Sequence, residues 1–481
     1  MRLRYFIIIV SVILSFLSCE RESFIRDNDA SLKFSLDTLY FDTVFTQLST
    51  VTKSFTIHNP HKEFLKVSRI RLAKGDNSVY RINLDGVPGT DFRNIEIPPE
   101  DSIYVFVDAT LDPNNSDNIL LQQDSVVTET NGNVQDVDLV AWGQDVHMIR
   151  GEVLSTQTWV NDKPYLVIDY AYVDSMEVLT MEAGVRVYLH RDAIFAIGGT
   201  LVANGEKDLP VSFGGDRLEE DYKDIPGQWG GIYFTAGSRN NYLNYTEIRG
   251  GNFGMIVDTF MNENPTLEIK NSIIAHMSSV GLLARGSRIL GVNNLIYNCG
   301  SSALALTIGG SYEFYHCTIA NSWGYAPSRT DPSVYMSNYY FYNDTLPSGG
   351  VVQRAEVRDI EKAYFGNCII WGDQNNELVI DKYSGGGELN YFFDHCLGKF
   401  NPQDFELEEE KIPGLINNEA PGFISRSDYD FQLDTLSPAI DAGKVSVANS
   451  YPIDRNGNSR IEDENPDIGA FEYFFQETEE K

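Results

Sequence analysis

Asn271-Ser272-Ile273-Ile274, Asn293-Asn294-Leu295-Ile296, His316-Cys317-Thr318-Ile319 and Asn367-Cys368-Ile369-Ile370 are versions of one short row. Tyr245-Thr246-Glu247-Ile248 precedes them, and His395-Cys396-Leu397-Gly398 follows as a degenerate sixth row. The rows ending at 248, 274, 296, 319 and 370 are separated by 26, 22, 23 and 51 residues. Self-similarity at such a period marks one structural unit stacked on the next. The last step is either two units or one unit with an insertion. Alternate residues of a strand share a face, so Ile248, Ile274, Ile296, Ile319 and Ile370 form one inward column. Thr246, Ser272, Asn294, Cys317, Cys368 and Cys396 form a second inward column, of smaller residues. Three cysteines in that column read as buried fillers rather than reactive thiols, with a disulfide between neighbouring rows left open by an oxidising compartment. Ile273, Leu295, Ile369 and Leu397 then face outward, an apolar column that needs a cover.

Upstream of the rows the chain keeps the same character. Met181-Glu182-Ala183-Gly184-Val185-Arg186-Val187-Tyr188, Gly199-Thr200-Leu201-Val202-Ala203-Asn204-Gly205 and Gly227-Gln228-Trp229-Gly230-Gly231-Ile232-Tyr233-Phe234 are short strands punctuated by glycine, with no helical period between them. Between Tyr325 and Tyr364 the repeat is interrupted by a stretch rich in aromatics. The expectation is that these aromatics cover the outward column. The alternative is an exposed platform in which Tyr335, Tyr339, Tyr340 and Tyr342 stack on sugars or hold a partner protein.

The strings over 181–234 resemble the opening coils of bacterial pectate-lyase-like proteins. Leu436-Ser437-Pro438-Ala439-Ile440-Asp441-Ala442-Gly443, continuing to Asp467-Ile468-Gly469-Ala470-Phe471-Glu472-Tyr473, resembles the terminal module that follows many bacterial β-helices. The resemblance implies an all-β chain with a right-handed parallel β-helix over 148–436, an insertion near 325–364, and a module over 437–473 that caps the last coil, whose open edge otherwise invites aggregation. Residues 474–481 are a tail. Asp454-x-Asn456-x-Asn458 has the outline of a calcium loop, but Ser459 stands where such a loop needs glycine. The expectation is therefore no cofactor and no metal, with calcium at 454–458 as the alternative.

Residues 31–147 alternate in the strand manner, as in Ser54-Phe55-Thr56-Ile57 and Ser102-Ile103-Tyr104-Val105-Phe106-Val107, with turn signals at Asp85-Gly86 and Asn131-Gly132-Asn133. Their order resembles an Ig-like β-sandwich module. Before them, Arg2 and Arg4 lead into the apolar run 6–17, too short to span a bilayer, and then Ser18-Cys19. This pattern reads as a secretory signal peptide over 1–19, and Leu14-Ser15-Phe16-Leu17-Ser18-Cys19 resembles the lipobox of bacterial lipoproteins. That likeness implies lipidation of Cys19, a membrane partner through the anchor, and a place at the bacterial outer membrane or cell surface. Residues 20–30 are a polar tether, in which Glu20 and Glu22 resemble the export signals of Bacteroidota surface lipoproteins.

With 37 Lys and Arg against 69 Asp and Glu, the formal charge is −32, which argues against a nucleic-acid partner. No CxxC pair is present, and with it goes the usual zinc signature. Enzymes of the resembled fold cleave acidic polysaccharides, yet the window 225–325 holds only Glu247, Asp258, Glu263, Glu268 and Glu313 as acids. Arg249, Asp258, His276 and Arg285, on adjacent coils, are the weak catalytic candidates; the competing reading makes them isolated turn residues. His316 and His395 share a column and could hold a metal only across the insertion. The expected function is a non-catalytic, membrane-anchored surface lipoprotein that presents a β-helix face to polysaccharide or to an envelope protein. A polysaccharide lyase or glycoside hydrolase with an atypical site, and a structural subunit of an envelope assembly, are the alternatives.

Overall fold

A computed structural model describes residues 23–113, 120–258, 264–345, 350–401, 408–462 and 465–474. The described elements are strands except for three 3-10 turns and the short helix Val445–Ser450. None of the described helices is long and apolar enough to cross a membrane. The chain divides into two compact units, 1–145 and 146–481.

The first unit holds two five-stranded sheets. Lys53–His58, Ser102–Ala109 and Tyr80–Leu84 are the antiparallel centre of one. Asn133–Gln144, Leu120–Thr130 and Leu65–Leu72 are the centre of the other, and Thr38–Phe45 joins its edge in parallel. Strand alternation decides what is buried. Ile103, Val105, Val107 and Ala109 are buried while Tyr104 and Phe106 between them are exposed. These residues share one core with Val67, Ile70, Val126 and Leu139 of the second sheet.

The second unit is solenoid-like, because every strand pairing on its long sheets is parallel. Its strands fall into three ladders that each turn visits in the same order. One turn runs through Leu267–Lys270 in ladder 3, Ile273–Met277 in ladder 1 and Leu282–Arg285 in ladder 2. The next repeats it with Arg288–Val292, Leu295–Cys299 and Leu304–Thr307. The sequence rows form ladder 1, and their alignment is its hydrogen-bonding register: Ile248 pairs with Ile274, Ile274 with Ile296, Ile296 with Ile319, and Ile319 with Ile370. The 51-residue step is therefore one turn with insertions. All five isoleucines belong to the core of this unit, with Cys317, Cys368 and Cys396 beside them as buried free thiols.

The first position of each row sits at the corner between ladders 3 and 1. Tyr245, Asn271, Asn293, His316, Asn367 and His395 all have φ between 41° and 53°, a left-handed conformation that asparagine and histidine tolerate better than branched residues. The second position closes the corner. The backbone N–H of Thr246 donates to Ser272 Oγ at 3.0 Å, that of Ser272 to Asn294 Oδ1 at 3.0 Å, and those of Asn294 and Cys317 to the sulfurs of Cys317 and Cys368. Small polar or thiol side chains recur there because each satisfies the turn before it.

Two expectations about the periphery are corrected. The aromatics of 325–364 do not cover the outward column. Ile273 and Leu295 are covered by Phe431, Ala470 and Phe471, and Ile369 and Leu397 by Leu433, Ala439 and Ile468. The C-terminal module thus lies along the outside of ladder 1 rather than over the end of the last coil, where it takes four stacked apolar side chains out of water. Nor is 325–364 one insertion. Val334–Ser337 is a ladder 2 strand, paired with Leu304–Thr307 on one side and Leu378–Asp381 on the other. Among the described strands of 325–364, Tyr339–Thr345 and Val351–Val357 leave the ladders, as an antiparallel hairpin.

Candidate functional site

Ladder 3 presents a column of aromatic and charged side chains. Three residues before each row begins, its register aligns Tyr242, Glu268, Leu290, Glu313, Tyr364 and Phe392 in one outward column. Parallel strands lie about 4.8 Å apart, so side chains in a column stack. Phe392 and Tyr364 do so with centroids 5.8 Å apart and planes within 6°. Tyr364 meets Tyr315 of the neighbouring column at 5.2 Å, and Tyr315 meets Tyr451 of the C-terminal module at 4.8 Å. The four half-buried rings form a continuous band. An open depression of about 380 Å³ lies at one end, lined by Lys362, Tyr364, Asn390 and Phe392. A second, of about 180 Å³, lies at the other, lined by Lys270, Asn293, Tyr451 and Asp454.

Hydrogen bonds at the ring edges hold the band in place. Tyr315 donates its hydroxyl to Glu313 Oε2 at 2.6 Å, where Lys362 Nζ also binds at 2.7 Å. Tyr364 donates to Asp394 Oδ2 at 2.8 Å, shared with Lys444 Nζ at 2.6 Å. Burial opposes ionisation of Glu313, but Lys362 and the Tyr315 hydroxyl outweigh it and hold the carboxyl below its usual range. Asp394 is likewise held low, burial being overcome by Lys444, His395 and Tyr364. Burial and then the acceptor carboxylates push the Tyr315 and Tyr364 hydroxyls up. Near neutral pH these acids stay ionised and these phenols protonated, so none is matched to general acid–base work. Tyr364 is covered on one side by Phe392 and has Lys362 Nζ 5.5 Å from its ring centroid, so the stacked, half-buried rings meet solvent along their rims.

The four catalytic candidates separate into two groups. Arg285 Nε binds Asp258 Oδ1 at 2.5 Å, and the Tyr233 hydroxyl joins the same carboxylate. Arg249 belongs to another group: its Nη1 donates to the Tyr297 hydroxyl at 2.7 Å and its Nε to Glu247 at 3.2 Å. His276 is fully buried beneath Tyr429 and Tyr297. Its Nδ1 lies 2.8 Å from the Asn298 amide nitrogen and its Nε2 3.3 Å from Asp224 Oδ1. Burial pushes this imidazole down to about 4 despite Asp224, which keeps it neutral at physiological pH.

Among the aromatic candidates, Tyr335 and Tyr339 both donate to Asp381 Oδ2, at 3.0 and 2.9 Å. Tyr340 and Tyr342 lie on the other face of the hairpin, 39% and 40% exposed. His316 and His395 are separated in their column by Asn367, whose amide nitrogen is 3.3 Å from His316 Nε2. Asp454 receives the Asn458 and Glu472 backbone N–H groups, so its oxygens already have protein donors. Among the described residues no three His, Cys, Asp or Glu side chains cluster as a metal site. Cys19 lies outside the described residues.

The rows do not show the band: Tyr364 and Phe392 stand three positions before theirs, half of it, and Tyr451 is far away in the chain with no repeat to mark it.

No family model and no curated protein matches the chain. Solved structures share small parts of it. One is described as a family 123 glycoside hydrolase from Clostridium perfringens, in glycolipid glycan hydrolysis: 9% identity over 24% of this chain and 26% of that one, TM-score 0.17. Another is an ASH / PapD-like domain of human CEP192: 10% identity over 27% of this chain and 96% of that one, TM-score 0.18. Likenesses this partial carry no weight on activity.

Proposed function

We propose that this chain is a secreted surface lipoprotein of the bacterial outer membrane, lipidated at Cys19, that binds polysaccharide without turning it over. In this reading an Ig-like module precedes a right-handed parallel β-helix of the pectate-lyase-like kind. The hand follows the resemblance of residues 181–234 and the strong preference of parallel strand connections for right-handed crossovers. The observation that carries the binding role is the band of Phe392, Tyr364, Tyr315 and Tyr451 between two open depressions. A ladder holds successive rings rigidly, so a chain-like ligand meets them with little ordering cost to the protein.

Retention on immobilised polysaccharides, with the eluate assayed for released sugars, tests this. Retention with no release is the expected result. Release of unsaturated or reducing-end products would replace binding with lyase or hydrolase chemistry. No retention on any polysaccharide, together with stable co-purification with envelope proteins, would favour a structural subunit instead.

A further inference from the structure

The geometry points to an uncharged glycan as the ligand of the band, with its principal subsite at Tyr364 and Phe392. This inference rests on the polysaccharide reading above and narrows it. The described strands of ladder 3 contain three basic residues, Lys270, Arg288 and Lys362. Each is engaged by a carboxylate of the same ladder: Lys270 by Glu268, Arg288 by Glu361 at 2.8 Å, and Lys362 by Glu313 at 2.7 Å. Lys444, at the margin, is engaged by Asp394 at 2.6 Å. An anionic chain laid here would have to displace a carboxylate from each cation, and would do so on a protein of formal charge −32.

An uncharged sugar meets neither obstacle. Its apolar ring face suits the half-buried rim of the Tyr364–Phe392 stack. Its hydroxyls suit the ion pairs and the exposed Asn390 amide that line the 380 Å³ depression, since hydroxyls can donate to the carboxylates and accept from the cations without breaking the pairs. The same pairing sets the orientation. Phe392, Tyr364 and Glu313 follow one another across adjacent turns, so the glycan runs along the stack and crosses the strands.

The test uses the full chain in a detergent without a sugar head group, titrated with xylan, mannan and mixed-linkage glucan as neutral probes and polygalacturonate as the acidic one. Binding of at least one neutral chain, weakened about tenfold or more by Tyr364→Ala or Phe392→Ala and kept by Tyr364→Phe, is the expected result. Circular dichroism and the unfolding midpoint of each variant separate loss of the ring from loss of the fold. Preference for polygalacturonate would overturn the uncharged class while leaving the polysaccharide reading standing. Binding of a neutral chain that ignores all three substitutions, in variants that fold, would overturn this subsite. Binding of none of the four probes would overturn the inference, and the broader panel above then decides the reading beneath it.

Discussion

At the corner of each turn, one residue is asked to adopt positive φ and the next to supply a hydrogen-bond acceptor. Asn271, Asn293 and Asn367 meet the first demand, while Ser272, Asn294 and Cys317 meet the second. This is why the rows are recognisable although their other residues vary. Inside them, Ile296 pairs with Ile274 and Ile319 and is almost wholly buried. Ile296→Ala should cost about 2–5 kcal/mol, because the stack on either side limits collapse into the cavity; chemical denaturation measures it, and a shift near zero would contradict the register. On the lipoprotein proposal, Cys19→Ser abolishes labelling by radioactive fatty acid in a bacterial expression host, whereas replacing the buried Cys317, Cys368 or Cys396 leaves labelling unchanged.

Among the elements, the covering role expected of the 325–364 aromatics falls to the C-terminal segment instead of the hairpin Tyr339–Thr345/Val351–Val357. The hairpin projects with Phe341 53% exposed, and the module does the covering. Ending the chain after Glu419 should therefore bare Ile273, Leu295, Ile369 and Leu397, raising binding of a hydrophobic dye and promoting aggregation while the strand signal persists. The module is fastened by a buried polar network. Arg460 Nη1 donates to Glu472 Oε1 at 2.7 Å and Nη2 to Asn293 Oδ1 at 3.1 Å, while Asp467 receives the N–H groups of Asp441 and Tyr473. Asp441, Asp467, Glu472 and Tyr473 of the C-terminal motif are members of this network. Its purpose was not legible, since Asn293 stands 167 residues from Arg460.

For the molecule as a whole, that network makes stability depend on pH. Burial raises Glu472 to about 7 from 4.5 and Asp467 to about 6 from 3.8, against the pull of Arg460 on the first and of the Asp441 and Tyr473 N–H groups on the second. The folded state therefore keeps protons that the unfolded chain has released. Their contribution is present in full below the unfolded values and is lost as pH rises through 6 and 7. The unfolding midpoint of the 146–481 unit should fall between about pH 5 and pH 7.5, and Glu472→Gln should flatten that slope; an unchanged slope would place the dependence elsewhere. The acidic composition is a separate matter, bearing on solubility.

The sequence by itself determined the solenoid-like unit, the register of ladder 1 and the burial of its isoleucine and cysteine columns. Those features are local and periodic, so every turn must solve the same packing and corner problem with similar residues. Tertiary structure alone decided what covers the outward column, how Arg249 and His276 part from Asp258 and Arg285, and that Tyr451 completes a band begun at Phe392. Each of these depends on segments far apart in the chain meeting across the coil surface, and no periodic signal records such a meeting.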